Sequence, residues 1–284
     1  MNSRKKGKGG DVFLRLRRNR LAMIGLAIVV ILILVAVFAD FIAPYGYAKQ
    51  NIRETLQSPS MKHLCGTDQF GRDIFSRIIY GSRISLKVGF IAVSIAMVTG
   101  GLLGAVSGYY GGKLDNLIMR VMDVLLSIPQ ILLAIAIAAS LGPGLFNLMI
   151  AVGISSIPGY ARIVRGSVLS IRNQEFVEAA RAMGSGDLRI ILRHILPNCM
   201  APVIVQATLG VAFAILTAAG LSFIGLGIQP PSPEWGAMLS GGRVYIRDHS
   251  YMTFFPGLAI MITILALNFL GDGLRDALDP KLKR

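Results

Sequence analysis

The chain is short of charge, short of acid and nearly devoid of the residues that do covalent chemistry. Only 15% of its 284 residues are Asp, Glu, Lys or Arg, against 54% that are hydrophobic, a balance too apolar for an ordinary soluble domain. Its two cysteines, Cys65 and Cys199, fall on what the spans below make opposite sides of a bilayer, so no intramolecular disulfide is expected. The three histidines, His63, His194 and His249, are scattered. His63 and Cys65 offer two metal ligands, which is short of a closed site, and a plain loop is the favoured reading. GxSxG, HExxH and CxxC are all missing. The nearest approach to a phosphate-binding loop, Gly111-Gly112-Lys113-Leu114, has Ser107 where its first glycine belongs and Leu114 in place of the hydroxyl residue. Neither catalysis, nor ATP binding, nor a bound metal or cofactor is expected of this chain.

Long uncharged runs are what it does have. A bilayer core of about 30 Å asks for roughly 20 apolar residues of helix. Residues 21–39 give a first span, and 88–112 a second in which Gly100, Gly101, Gly104 and Gly108 thin one face for close packing. Residues 124–161 are too long for one span and divide at Gly142-Pro143-Gly144 into a third and a fourth. Residues 199–227 and 252–271 supply the fifth and sixth. Strand alternation is absent from these runs, so the expected fold is an all-α polytopic bundle of about six transmembrane helices. Residues 1–83 read as a basic N-terminus, first span and outer loop. Residues 84–284 read as a five-helix core carrying a polar loop at about 162–198.

Basic residues set the orientation. With six spans, 20 Lys and Arg share the side that holds both termini and the polar loop, against nine on the other side. Both termini are therefore expected in the cytoplasm. The net charge of +14 is explained by that asymmetry and by anionic membrane lipid rather than by nucleic acid. The first run exceeds the apolar region of a secretory signal, so a retained span is expected rather than a cleaved peptide; neither cysteine lies in a lipidation motif.

The polar loop reads as a helical hairpin. Asn173 is a candidate N-cap, Glu175 and Glu178 suit the first turns, and Gly184 suits a left-handed end, giving a helix over 174–183. Phe176, Ala180 and Met183 recur at helical spacing as an apolar stripe, with Ala179 and Ala182 beside it. Asp187 then caps a second helix, which Pro197 is expected to end. That second helix carries Arg189 and Arg193 but is too apolar for a DNA groove. A structural cap on the bundle and a knob set into a cytoplasmic partner's groove remain as readings.

Glu178-Ala179-Ala180, Gly184 and Leu196-Pro197 resemble the EAA loop of ABC import permeases, although His194 stands where isoleucine is usual. The string at 66–73 (GTDQFGRD), the string at 229–236 (QPPSPEWG) and the ending at 271–280 (GDGLRDALDP) resemble the C-type permease of dipeptide, oligopeptide and nickel importers. The resemblance runs from about residue 11 to the end. It implies an ATP-driven importer subunit in a bacterial or archaeal cell membrane, carrying short peptides or, alternatively, nickel or another small solute. It also implies a homologous second permease, two ATP-binding subunits holding ATP and Mg, and an extracytoplasmic solute-binding protein as partners. Glu175, Phe176, Glu178, Ala179, Ala180, Gly184, Leu196 and Pro197 would form the ATPase-coupling loop.

Polar side chains in apolar runs normally face protein or water, so Gln130, Asn147, Gln206 and Asn268 are candidates for the translocation path. Asp68 and Asp73 are expected to pair with Arg72 or Arg77 and to cap turns. Arg120 is expected to pair with Asp123, Trp235 to sit at the lipid interface, and Pro129 and Pro158 to kink the third and fourth spans. A secondary transporter would favour internal repeats or recurrent buried ionisable residues, which are not apparent; a membrane scaffold that recruits a cytoplasmic protein is a further alternative.

Overall fold

The computed structural model describes residues 14–278, and among these it contains helices and irregular connections but no β-strand. Helix α1 is Arg20–Val37, opened by Asn19, whose side chain accepts the Ala22 N–H. Helix α2 is Ile74–Tyr110, and α3 (Gly112–Leu126) and α4 (Gln130–Leu141) follow it. Next come α5 (Leu145–Ile171) and the short α6 (Glu175–Ala182). Helix α7 runs Asp187–Phe223, α8 is Trp235–Gly242 and α9 is Tyr251–Leu278. Five of these helices are long and apolar enough to cross a membrane, and the bent pair α3–α4 brings the number to six.

Close backbone approach replaces the hydrophobic effect as the reason helices adhere in lipid. Helix α2 packs along α5 through glycines. A Cβ on Gly100 would lie 2.6 Å from the Ile157 carbonyl, and one on Gly108 would lie 2.8 Å from the Val168 Cβ, while Gly104 is tighter still against Ala161. Gly101, grouped with them in the sequence, faces open space. Gly25 of α1 is pressed in the same way onto the Ala266 carbonyl of α9. The buried core joins Val88 and Ala92 of α2, Leu148 and Val152 of α5, Ile215 and Leu221 of α7, and Ala266 of α9.

Several helix ends differ from the sequence expectation for physical reasons. Helix α2 begins at Ile74, well before the uncharged run, because Asp73 caps it by accepting the Ser76 N–H and hydroxyl, each at 2.7 Å. Its early arginines find polar partners: Arg77 donates to the Tyr47 and Pro231 carbonyls, and Arg83 to the Ala36 and Val37 carbonyls and to Asp40. Residues 83 and 84, where the sequence suggested a division, both lie inside this helix. The third span is broken outright at Pro129, α3 and α4 meeting at 89°. Pro158 stays within α5. Pro197 ends nothing, because the backbone widens into a π-helical stretch at Ile190–Ile195, with the Leu196 N–H bonded to the Ile191 carbonyl, and the helix continues through it.

The loop end of the bundle, opposite the tip formed by α6, is built from residues 43–73 and 224–250. Gly66 and Gly71 adopt φ of +79° and +68° where their missing side chains let Gln57 and Asn51 approach. Trp235, expected at the lipid interface, is 1% exposed and donates its indole N–H to the Ile78 carbonyl at 3.0 Å. Beside it Glu234 accepts the Gly236 and Ala237 N–H groups as the cap of α8, and burial raises its carboxyl above the ordinary range.

Candidate functional site: a helical hairpin and a central cavity

Helix α6 and the first turns of α7 form a hairpin whose two faces differ. Inward, Val177 and Ala180 are fully buried against Ala105 and Tyr109 of α2, Val164 and Val168 of α5, and Ile190, Ile191 and Ile195 of α7. Outward, Phe176 is 37% exposed, Met183 78%, Leu188 70% and Leu192 49%. The stripe expected from the sequence is thus divided: Ala180 faces the bundle, while Phe176 and Met183 face away from it. Glu175, Glu178 and Ala179 are exposed on the outer side as well, with both carboxylates in the first turn where the helix dipole favours them. The N-cap position belongs to Gln174 without a side-chain bond, and Asn173, the expected cap, precedes it and is exposed.

The turn ends α6 in a Schellman arrangement. Gly184 sits at φ +78°, its N–H bonds the Arg181 carbonyl, and the Ser185 N–H reaches back to the Ala180 carbonyl at 3.1 Å. Space around Gly184 is open, so the left-handed backbone and not crowding is what calls for glycine. Leu196 packs against the cluster under the hairpin and Pro197 is exposed.

Polar groups fasten the hairpin to the spans. The Tyr109 hydroxyl at the end of α2 donates to Asp187 at 2.7 Å, while Arg181 of α6 donates to the same hydroxyl at 3.4 Å. One tyrosine therefore touches both arms. Nearby, Arg165 of α5 grips Asp115 of α3 through two bonds of 2.6 Å, and Arg172 donates to the Gly108 carbonyl at 2.8 Å. Asp123 pairs with Arg162 of α5 at 2.8 Å rather than with Arg120, because the chain beyond α3 turns back along α5. The sequence reasoning missed Tyr109 altogether; an aromatic residue at the end of a glycine-rich span, before a Gly-Gly turn, was the available signal.

A cavity of about 650 Å³ opens in the bundle where α3 and α4 separate. Gln130, Gln206 and Asn268 all line it, together with Tyr160, Ser156 and Pro129. Gln130 donates to the Ser156 hydroxyl at 2.8 Å, and the Tyr160 hydroxyl donates to the Gln206 backbone carbonyl at 3.2 Å. Asn147 does not join them. Its amide donates to the Leu141 and Gly142 carbonyls, closing the α4–α5 turn, because a helix end in an apolar setting needs its carbonyls satisfied. The bend at Pro129 creates the mouth of this cavity, which uniform hydropathy along 124–141 concealed.

Residues 100–284 match the family described as binding-protein-dependent transport system inner membrane component, and residues 8–59 match the N-terminal TM domain of oligopeptide transport permease C. The chain is 52% identical to a dipeptide transport system permease protein of Alkalihalophilus pseudofirmus, covering 96% of this chain and 90% of that one. It is 47% identical to a di/tripeptide transport system permease protein of Pseudomonas aeruginosa, with coverage of 93% and 89%. A glutathione transport system permease protein of Escherichia coli is 50% identical, with coverage of 95% and 89%. In fold it resembles a chain of the inward-facing MetNI methionine ABC transporter, at TM-score 0.60 and 20% identity over 72% of this chain and 98% of that one. The chain belongs to the inner-membrane components of binding-protein-dependent transport systems and is a C-type permease subunit of an ABC importer, a multi-pass protein of the cell membrane.

Proposed function

We propose that this permease carries short peptides and that its hairpin receives the driving movement from two ATP-binding subunits. The names of its relatives, which concern dipeptides, di/tripeptides and glutathione, support the cargo. The observation that carries the coupling role is the division of the hairpin. An apolar outer surface at Phe176, Met183, Leu188 and Leu192 is left uncovered, while the inner surface is fastened to three spans. Such a surface suits insertion into a groove on a partner.

In this reading a homologous second permease completes the path around Gln130, Gln206 and Asn268, and a solute-binding protein delivers cargo at the loop end. Both termini and the hairpin are cytoplasmic, in keeping with the distribution of Lys and Arg. ATP and Mg reside on the partner subunits. Glu175, Phe176, Glu178, Ala179 and Gly184 meet the ATPase, with Ala180 and Leu196 supporting them from within and Pro197 exposed at the start of the span. Closure of the ATPases shifts the bundle only to the extent that the hairpin binds their two states with different free energy.

A Met183→Cys variant of the assembled transporter tests this. A bifunctional thiol reagent is expected to link residue 183 to an ATPase subunit, with a yield that changes when ATP is bound. Absence of that link, or modification of residue 183 from outside sealed cells, would overturn the proposal.

A further inference from the structure

The charged residues lining a small cavity at the loop end are two arginines and one aspartate, with Asp73 and Glu234 buried outside it. Asp68, Arg72 and Arg77 are 6%, 5% and 5% exposed, so two guanidinium groups face one carboxylate. Arg72 spends its Nε–H on Asp68 at 2.6 Å and lies over the Phe70 ring at 4.7 Å. Arg77 spends Nη1 on the Tyr47 and Pro231 carbonyls, and its Nε is 3.8 Å from Asp68. Among the described residues, neither Nη of Arg72 nor Nη2 of Arg77 has a hydrogen-bond partner in the protein, and these atoms are not wholly sealed from solvent. Both side chains line a cavity of about 70 Å³, to which Gln69, Ser232 and Met238 also contribute.

Excess buried charge is costly unless an opposite charge answers it. Forked N–H donors fit the two oxygens of a carboxylate better than a spherical anion, and the small cavity suits one such group. We infer that Arg72 and Arg77 form a binding site for a single carboxylate group presented at the loop end. Such a group has two sources, the free C-terminus of a short peptide or an acidic side chain of the docked binding protein. The site does not depend on the coupling role of the hairpin; only the choice between its sources rests on the import reading.

Formate is the probe. Added to the purified whole transporter in nanodiscs, with chloride replaced at constant ionic strength, it is expected to raise the thermal midpoint saturably. Arg72→Lys keeps the charge but loses the fork, and should weaken the apparent formate affinity about tenfold. Arg77→Lys provides the same comparison should Arg72→Lys fail to assemble. No saturable rise in the native transporter, or an equal response in the assembled variants, overturns the site. Competition by a dipeptide but not by its C-terminal amide assigns the carboxylate to cargo. Competition by the unliganded binding protein alone assigns it to that partner.

Discussion

The two ends of this bundle are finished to different degrees. At the loop end, charged side chains are buried and braced: His63 lies between Asp73 and Glu54, Asp73 caps α2, and Glu234 caps α8. At the hairpin end, charged groups lie mostly outside and large apolar side chains lie beside them in the open. One end holds its conformation from within; the other leaves an apolar surface uncovered. The lesson is that the braced end and the proposed coupling surface lie in separate places, so substitutions are expected to damage one without the other.

Asp73→Ala gives the largest expected effect. It removes the cap of α2 and strips buried His63 of a partner, for a combined loss of about 3 kcal/mol. The expected outcome is a marked drop in the level of assembled transporter and in its thermal midpoint, measured in membranes and after purification. Gly184→Val should leave that level unchanged and yet reduce ATP-dependent peptide uptake about tenfold, because a β-branched residue resists φ of +78° by about 1–2 kcal/mol. Equal falls in level and uptake for both variants would break the distinction between the two ends. Tyr109→Phe sharpens it with the smallest change. Loss of one hydroxyl that holds both hairpin arms should lower uptake about threefold while moving stability by no more than about 1 kcal/mol, as read by transport assays beside a melting curve.

Hydropathy made the spans legible, since nothing but a membrane explains such long uncharged runs, and the division at Gly142-Pro143-Gly144 falls where α4 gives way to α5. Helix ends were harder to read because charge ends a hydropathy run without ending a helix. Arg77 and Arg83 continue α2 by donating to carbonyls elsewhere in the chain, which no local pattern announces. Pro197 misled for a related reason: a widened turn just before it absorbs the missing N–H. At the site, composition and order gave away the hairpin, but which of its apolar residues turn inward depended on its packing against α2 and α5. Likewise Gln130, Gln206 and Asn268 are far apart in sequence, and only the right-angled break at Pro129 opens the space they share.

Helix α7 starts in the hairpin and finishes where the Ser240 hydroxyl of α8 bonds the Phe223 carbonyl. At 1.5 Å per residue its 37 residues reach about 55 Å, enough to traverse the bilayer in one piece. Under the proposed function it would act as a lever: a tilt of about 5° applied at the hairpin would swing the far end by about 5 Å over that length. In the proposed coupling, movement at the hairpin would reach the far side of the membrane along this one helix, past its π-helical stretch at Ile190–Ile195 and Pro202.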